Sequence, residues 1–596
     1  MVHPETRSPS SAWEACLPRR CDIPHRARLV DYDIMELAAL LREKSITAVA
    51  LTQAYLDRID EFNGTFETYD ENGGYNAFIR IDREEALAQA RDVDDRLQRG
   101  ETLPLLAGIP LGFKDTIAIR GRQSTNGWAG FQGNIAPEDA AIVALLREEH
   151  AVLLGHTTCS ELSGSITGTF AGNAWDPRYV PGGSSQGSGV APAARLAAAA
   201  IGVETGGSII IPAAANGCSA IKPSSGLLSE RGIMQNSPGL DTPGPMARSI
   251  RDASLLLNVM TRFDRGNNPS PPGSPLPLPA WPLTPQSGDK PLQNIRIGLP
   301  QKDWMSAGTG APPATTYDTA YLSAYHRFIG QLTSLGAEVV EFDGLDLLSP
   351  ENDPFTYGPV IEEIDGYPVG AILACTATRT LNLRKMEALD AFISTCEGEQ
   401  RDKLEQHYRL LIDLYKNHYS KMQFSTIATG ERRRRQLRTH YQKALDDNNI
   451  DFMMVLPLGA HIPRRFPGPG KPGPYNFSNM RNHYGAPNNL GWPVVTFPVG
   501  ISTFSPVDTS IDDDTRLPIT AAFWGPRFSE PLLIQAAIDF QSHFPEYHNA
   551  VPPDPVFGPD TRRPVHHPCV EPVTPDNTTD PAMMAARGLS SWPKRS

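Results

Sequence analysis

Two glycine-rich turns constrain this chain more than any other part of its sequence. The first turn reads Gly182-Gly-Ser-Ser-Gln-Gly-Ser188, and the second reads Glu204-Thr-Gly-Gly-Ser208. Glycine lacks a Cβ, so such turns can adopt positive φ and bring main-chain N–H groups close to a bound molecule. The small residues between the turns suit a helix packed tightly inside the protein; they are Ala191, Ala193, Ala194 and Ala197 to Ala200. The pattern predicts serine hydroxyls held beside backbone donors.

Three other interpretations of these turns compete. A glycine loop that opens a helix can bind a phosphate, but the P-loop pattern and a strand–GxGxxG–helix unit are both missing from the sequence. Gly183 to Gly187 fits the G-x-S-x-G elbow of α/β-hydrolases, which leaves Gly206-Gly207-Ser208 unexplained. The third interpretation is purely structural, because small residues let a helix and a strand pack closely. The turns alone leave all three open.

A lysine upstream favours a catalytic interpretation. Lys114 ends the apolar run Gly108-Ile-Pro-Leu-Gly-Phe-Lys114-Asp115. Apolar residues alternate before it as in a strand, so its side chain is expected to point inward. Burial would lower the pKa of its amine, because a low-dielectric interior disfavours the charged form. A lone lysine at a strand end more often points to water.

These three segments together resemble the amidase signature family. Its hallmark is a G-x-P-x-x-x-K-D segment followed by G-G-S-S and then G-G-S-I, which Gly108 to Asp115, Gly182 to Ser185 and Gly206 to Ile209 match in order. The spacing from Ser184 to Ser208 also matches. Weaker similarities follow at residues 242–252, 489–500 and 524–530, so the resemblance covers roughly residues 30–540.

The resemblance implies a Ser-Ser-Lys mechanism. Ser208 would be the nucleophile, Ser184 the bridging serine after a cis peptide bond from Gly183, and Lys114 the base that acts when neutral. The oxyanion hole would be the backbone N–H groups of Thr205, Gly206, Gly207 and Ser208. Ser185 would support the network by hydrogen bonding. No metal and no cofactor are expected.

Two departures from the family pattern bear on the substrate. The family commonly has Asp where this chain has Glu204, and commonly has Arg shortly after the nucleophile, where this chain has Ile209, Ile210 and Ile211. A guanidinium there would clamp a carboxylate. Its replacement by isoleucine predicts a substrate with a neutral or apolar acyl group.

Composition limits the domain organisation. A chain of 596 residues exceeds the usual single domain. We predict an amidase domain over residues 29–545, a Pro-rich insertion near 265–292 with nine prolines between Pro269 and Pro291, and disordered ends at 1–28 and 546–596. Helices that alternate with short apolar runs predict an α/β fold. As in the family, a large mixed β-sheet core covered by helices on both sides is expected.

Charge and cysteine content limit the partners. A net charge of −13 argues against nucleic acid and anionic membranes. The cluster Arg432 to Arg435 is interpreted as the solvated face of a helix. Seven scattered cysteines fit reduced thiols, and neither a signal peptide nor a membrane span is evident. We therefore expect a cytoplasmic protein, with a small-molecule amide as substrate and a homodimer as one option.

The sequence leaves three functions open. The first is a stand-alone amidase that hydrolyses a small carboxamide, in catabolism or natural-product biosynthesis. The second is an acyl-transfer or ammonia-supplying role, like the tRNA amidotransferase component that belongs to this family. The third is a non-catalytic binding protein of the same fold, which the intact Lys114, Ser184 and Ser208 disfavour.

Overall fold

The computed structural model describes most of the segments that carry the motifs. The described residues are 17–66, 74–163, 171–236, 240–261, 284–300, 319–342, 424–459, 462, 485–502 and 516–555, together with short pieces between 363 and 405. Most of the Pro-rich insertion and most of both predicted disordered ends lie outside these residues. The domain boundaries therefore stay predictions.

Strands and helices alternate along most of the described chain. The strands are β1 (Phe78–Ile81), β2 (Pro110–Lys114), β3 (Val152–Thr157), β4 (Ala199–Glu204), β5 (Ser219–Lys222), β6 (Thr242–Ala247), β7 (Arg296–Pro300), β8 (Glu338–Phe342), β9 (Glu363–Ile364), β10 (Tyr367–Pro368), β11 (Phe452–Val455), β12 (Val494–Ser502) and β13 (Leu517–Trp524). The α-helices are α1 (Ile34–Arg42), α2 (Ala48–Phe62), α3 (Arg83–Gln98), α4 (Ala141–Glu148), α5 (Gln186–Ala193), α6 (Ile210–Asn216), α7 (Ile250–Met260), α8 (Thr319–Ser334), α9 (Phe424–Asp447), α10 (Gly485–Leu490), α11 (Glu530–His543) and α12 (Pro545–His548). Short 3₁₀ segments occur at Arg20–Asp22, Leu29–Asp31, Ala129–Phe131 and Glu161–Ser163.

Eleven strands form one mixed sheet, in the order β1-β3-β2-β4-β6-β5-β12-β13-β11-β7-β8. Strands β2, β3 and β4 pair in parallel, as do β11, β7 and β8, and the other neighbours are antiparallel. Helices cover the sheet on both sides. The predicted α/β fold is confirmed, and the strands from the second half of the chain belong to the same sheet.

The central strands are buried along their whole length. Every residue of β2, β3, β4, β5 and β6 is buried. Parallel strands covered on both faces are typically apolar throughout, and small residues dominate β4, which reads Ala-Ala-Ile-Gly-Val-Glu. The ends of β2 and β4 therefore place their polar residues, Lys114 and Glu204, inside the protein.

The alanine-rich run does not form one helix as predicted. Helix α5 ends at Ala193, and Ala199 and Ala200 already belong to β4. Pro192 lies in the last turn, and Arg195 has φ of 62°, which ends the helix. Helix propensity is a weak preference that tertiary pairing overrides, and pairing with β2 and β6 makes the second part of the run a strand.

The residues from Asp33 to Phe62 form two helices with separate N-terminal caps. Asp33 accepts a hydrogen bond from the N–H of Glu36, whose side chain accepts one from the N–H of Asp33, so a capping box starts α1. Thr47 caps α2 by accepting from the N–H of Ala50. The second cap explains the break, because a threonine before an apolar run starts a new helix.

The arginine cluster is only partly a solvated face. Arg432 and Arg435 are exposed, whereas Arg434 is 4% exposed and its Nε donates to the carbonyl of Asn489. Arg438, one turn later, donates to the carbonyl of Leu490 at 2.6 Å. Two arginines of α9 therefore satisfy carbonyl groups at the end of α10, where a helix leaves its last carbonyls without partners. Among the described residues, no helix is long and apolar enough to cross a membrane.

Candidate active site

Lys114 lies at the carboxyl end of β2, inside the protein. It is 1% exposed, and its Nζ lies 2.7 Å from the Oγ of Ser184 and 3.1 Å from the carbonyl oxygen of Val203. Burial lowers the pKa of this amine, while Cys159, Asp241 and Glu204 raise it by smaller amounts. The predicted inward orientation of Lys114 therefore agrees with the geometry.

Ser184 connects Lys114 to Ser208. The Oγ atoms of the two serines are 2.9 Å apart, so Lys114 Nζ, Ser184 Oγ and Ser208 Oγ form one continuous hydrogen-bonded chain. The peptide bond from Gly183 to Ser184 is cis, as the family resemblance implies. The carbonyl of Ser184 accepts from the N–H of Ser160 at 2.9 Å, which fixes the turn against the loop after β3.

Ser185 joins the two glycine-rich turns. Its Oγ donates to the carbonyl of Val203 and accepts from the N–H of Val203, both at 3.2 Å. Its own N–H donates to the carbonyl of Ser208 at 3.2 Å. A fully buried hydroxyl bonded to the main chain of β4 fits a supporting role. It does not resemble the exposed nucleophile that an α/β-hydrolase elbow would require.

The four residues from Thr205 to Ser208 form the turn between β4 and α6. Gly207 has φ of 116°, a conformation that favours glycine, and Gly206 is exposed. Within the described part of the chain, the main-chain N–H groups of all four residues have no hydrogen-bond acceptor. Such N–H groups are available to a developing oxyanion.

The side chain of Glu204 closes this turn. Its Oε2 accepts from the N–H groups of Ile209 and Ile210, the latter at 3.0 Å, and its Oε1 accepts from Asn488 Nδ2 at 2.6 Å. One carboxylate thus joins the residue before the turn to the two residues after Ser208. The longer side chain that replaces the family's aspartate reaches these N–H groups directly.

Asp115 anchors the loop beside the lysine. Its carboxylate accepts from the N–H groups of Thr125 and Gly127, at 3.2 and 3.1 Å, and from the hydroxyl of Thr125. It also forms an ion pair with Arg80. The two residues of the Lys-Asp motif therefore have different partners. Lys114 hydrogen-bonds to Ser184, whereas Asp115 holds residues 125–127.

Some residues that hold the site in shape were not identified from the sequence. Asn488 binds Glu204 although 284 positions separate them. Asp241 accepts from the hydroxyl of Thr205 at 2.5 Å and from the N–H of Asn236 at 2.6 Å. Asp241 directly precedes the matched segment that begins at Thr242, so a longer version of that segment could have included it. Nothing in the local sequence of Asn488 points to Glu204.

His156 and Cys159 do not group as a metal site. The Nε2 of His156 lies 2.9 Å from the carbonyl of Ile117, and burial lowers the pKa of its ring to about 3. The thiol of Cys159 lies 3.1 Å from the carbonyl of Ser160. Across the described residues, no group of three or more His, Cys, Asp or Glu residues is arranged to hold a metal ion.

Comparison with known proteins identifies the family to which this chain belongs. The family model described as Amidase matches residues 50–534. This match covers most of the chain, and the chain belongs to the Amidase family. The resemblance to the amidase signature family that the sequence motifs indicated is confirmed.

Two curated relatives are similar over about half of the chain. The A subunit of glutamyl-tRNA(Gln) amidotransferase from Methylobacillus flagellatus is 39% identical over 318 residues, which cover 52% of this chain and 60% of that protein. The protein of the same name from Thioalkalivibrio sulfidiphilus is 39% identical over 313 residues, with the same shares. The chain thus spans about 60% of the length of these relatives.

Solved structures are similar over most of the chain. The native peptide amidase from Stenotrophomonas maltophilia is 25% identical, with a TM-score of 0.61, and the match covers 88% of this chain and 98% of that one. An amidase family protein from Bacillus anthracis is 20% identical, with a TM-score of 0.65, covering 92% and 95%. The second similarity concerns the fold alone.

Proposed function

We propose that this protein hydrolyses the C–N bond of a small carboxamide through an acyl-enzyme on Ser208. The chain from Lys114 Nζ through Ser184 Oγ to Ser208 Oγ, with steps of 2.7 and 2.9 Å, is the observation that carries the proposal. An amide needs a nucleophile, a base, an acid for the leaving amine and donors for the oxyanion. This arrangement provides a candidate for each.

The proton relay follows from the chemistry of a neutral lysine. A neutral amine can donate to the Val203 carbonyl and still accept from the Ser184 hydroxyl. Hydroxyl groups rotate to suit their partners, so Ser184 can then accept the proton of Ser208. As Ser208 Oγ attacks the carbonyl carbon, its proton passes to Ser184 while the Ser184 proton passes to Lys114.

The same relay works in reverse when the C–N bond breaks. Ser184 gives its proton to the departing nitrogen and regains one from Lys114, so the amine or ammonia leaves neutral. Water then attacks the Ser208 ester, using the same base, and releases the carboxylic acid. The unpartnered N–H groups from Thr205 to Ser208 would stabilise the oxyanion in both steps.

A substrate with a neutral or apolar acyl group fits the charges near Ser208. Asp241 accepts a hydrogen bond from the hydroxyl of Thr205, in the turn that carries Ser208. Its negative charge would repel a substrate carboxylate. Hydrolysis rates should be compared for a linear aliphatic carboxamide and for the half-amide of a dicarboxylic acid of the same chain length. We expect the neutral compound to be preferred; activity confined to the half-amide contradicts this.

The first experiment is labelling with a fluorophosphonate probe. We expect Ser208→Ala to abolish labelling of the folded protein, and Ser184→Ala and Lys114→Ala to slow it strongly. Ser334→Ala, which removes an exposed hydroxyl at the end of α8, is the control and should be labelled at Ser208 like the wild type. Labelling that survives Ser208→Ala or moves to Ser185 would refute the assignment.

Acyl transfer is the second candidate function, favoured by the similarity to the A subunits of glutamyl-tRNA(Gln) amidotransferases. A subunit of such an enzyme works together with partner chains, so this function predicts that proteins co-purify with the chain from its native source. It also predicts that the acyl or amino group reaches an acceptor other than water. If the isolated chain releases free acid as fast as its acyl-enzyme breaks down, water is the acyl acceptor. This result would favour the hydrolase.

A further inference from the structure

Asp241 directly precedes β6 and lies beside the turn that carries Ser208. Strand β6 pairs antiparallel with β4, and the last pair of their register joins Glu204 to Thr242. Continuing this register by one residue places Thr205 opposite Asp241, and the side chains of opposite residues are neighbours in a sheet. The two side chains do meet, because the Thr205 hydroxyl donates to Oδ1 of Asp241 at 2.5 Å.

This side-chain hydrogen bond continues the pairing of the strands where the main-chain bonds end. The N–H of Thr205 has no acceptor in the described part of the chain, so the ladder between β4 and β6 stops before it. The hydroxyl of Thr205 holds the strand end against Asp241 instead. The N–H of the same residue therefore stays available to an oxyanion.

The second oxygen of Asp241 binds a different segment. Its Oδ2 accepts from the N–H of Asn236 at 2.6 Å. Two residues earlier, the N–H of Met234 donates to the carbonyl of Thr116 at 2.7 Å, and Thr116 follows Lys114 by two residues. One carboxylate therefore connects the Thr205–Ser208 turn to a segment that is hydrogen-bonded to the loop after the lysine.

The charge of Asp241 does not by itself favour the proposed reaction. An oxyanion held by the Thr205–Ser208 turn carries negative charge, and a nearby carboxylate repels it. Asp241 is 1% exposed, and solvent ions screen buried charges much less than exposed ones. The hydrogen bonds of Asp241 offer a better reason for a carboxylate here, because bonds to an ionised acceptor are shorter and stronger than neutral ones.

We propose that Asp241 is a positioning residue for the oxyanion hole. It acts through the Thr205 hydroxyl and fixes the direction of the Thr205 N–H relative to the loop after Lys114. This role rests on the proposed function of Ser208. Because the oxyanion forms only during the reaction and not in the bound amide, loss of the bond between Asp241 and Thr205 should lower kcat and leave KM nearly unchanged.

The first test is kinetic. Thr205→Val removes the hydroxyl at nearly constant shape, and we expect it to reduce kcat and the rate of fluorophosphonate labelling about tenfold to a hundredfold, as misplaced groups in an active site do. Thr205→Ser restores the hydroxyl and should recover most of the lost rate. Asp241→Ala should be at least as slow as Thr205→Val. The double variant should be no slower than Asp241→Ala alone, because both substitutions remove the same hydrogen bond.

Amide hydrogen exchange tests the geometry without activity. Asp241→Ala should speed exchange in peptides that span residues 205–211 and in those that span 232–236, because it releases both segments. Thr205→Val should speed exchange only in the first group of peptides. Thr333→Val removes a hydroxyl from the exposed face of α8 and is the matched control, which should exchange and react like the wild type.

The outcomes separate the two proposals. If Ser208 is labelled in the wild type and equally fast in Thr205→Val and Asp241→Ala, or if these variants change KM instead of kcat, the role of Asp241 is overturned and that of Ser208 stands. A folded wild type that is never labelled at Ser208 refutes the proposed function, while exchange still tests whether Asp241 holds the turn. If Asp241→Ala does not fold, the Thr205 variants decide, because a loss in Thr205→Val that Thr205→Ser does not recover also overturns the proposal.

Discussion

At the scale of single residues, the site depends on the protonation of one amine. Lys114 has two oxygen neighbours, the hydroxyl of Ser184 and the carbonyl of Val203. A protonated lysine can donate to both, but only a neutral lysine can accept a proton from Ser184. Because burial lowers the pKa of Lys114, the folded protein shifts this amine toward the form that the proposed reaction needs.

A first prediction concerns the pH dependence of activity. The rate should fall as the pH drops through the pKa of Lys114 in the folded protein, because the protonated amine cannot accept the Ser184 proton. Lys114→Met should reduce kcat/KM by about a thousandfold or more, as for other members of a catalytic unit. The measurement is the pH–rate profile of an amide substrate. An unchanged rate in folded Lys114→Met would contradict the prediction.

A second prediction concerns how the free energy of unfolding changes with pH. The direction of this change follows from the lowered pKa of Lys114. Between its lowered pKa in the folded state and its ordinary pKa of 10.5, the unfolded chain binds one more proton at this position. The free energy of unfolding should therefore rise with pH through this interval. Lys114→Met should remove that part of the slope, measured by denaturant unfolding at several pH values. The exposed Lys443→Met variant is the control and should keep the wild-type slope.

At the scale of elements, helix α5 sits unusually close to its neighbours. The N–H of Gly187 donates to the carbonyl of Thr158 at 2.9 Å, and Ser188 bonds to Thr157 of β3 at 2.7 Å and to Ile201 of β4 at 3.1 Å. The side chain of Ser188 thus binds both of the strands that flank β2. This contact aligns the serine turn with Lys114.

A third prediction tests the close approach of α5. A Cβ at Gly187 would overlap the carbonyl oxygen of Ala77 and lie 2.6 Å from the main-chain nitrogen of Thr158, whereas a Cβ at Gly206 meets nothing within 4 Å. Gly187→Ala should lower the free energy of unfolding by about 1–3 kcal/mol or more. Gly206→Ala, the matched control, should unfold like the wild type in denaturant titrations. Equal stability of the two variants would contradict the packing argument.

The same elements show what the sequence could and could not predict. The order of motifs predicted which serines and which lysine come together, because each motif carries its residues at fixed spacing within one turn or strand end. The strand conformation of Ala199 and Ala200 was not predictable from local preference, because alanine favours a helix. These residues form a strand only because they pair with β2 and β6. Asn488 was missed because it reaches Glu204 only in the folded protein, where segments 284 positions apart in the sequence come together.

At the scale of the whole molecule, a single sheet joins the two halves of the chain. Strand β5 pairs with β12, with Lys222 opposite Val494, so the residues that support the serine turn come from both sides of the Pro-rich insertion. Loss of the second half would remove Asn488, which donates to Glu204, and Glu530, which accepts from the N–H of Ser224. We therefore regard residues on both sides of the insertion as one structural unit.

The last prediction concerns the carboxyl-terminal boundary of that unit. Tyr547 accepts from the amide of Gln331 at 3.1 Å, and Asp554 forms ion pairs with Arg28 and Arg58. These contacts tie residues 545–555 to α8 and to the amino-terminal part of the chain. A chain ending at residue 555 should keep the wild-type unfolding temperature, whereas a chain ending at residue 544 should unfold about 2–4 °C lower or more.

The two truncations also test the predicted disordered end at 546–596. If disorder began at residue 546, both truncated chains would unfold at the same temperature as the full chain. A difference between them would move the boundary to about residue 555. Because the salt bridges of Asp554 are partly exposed, each contributes little by itself. Asp554→Asn should therefore shift the unfolding temperature less than removal of residues 545–555, which also removes the contacts of the partly buried Tyr547 and Ala550 with the core.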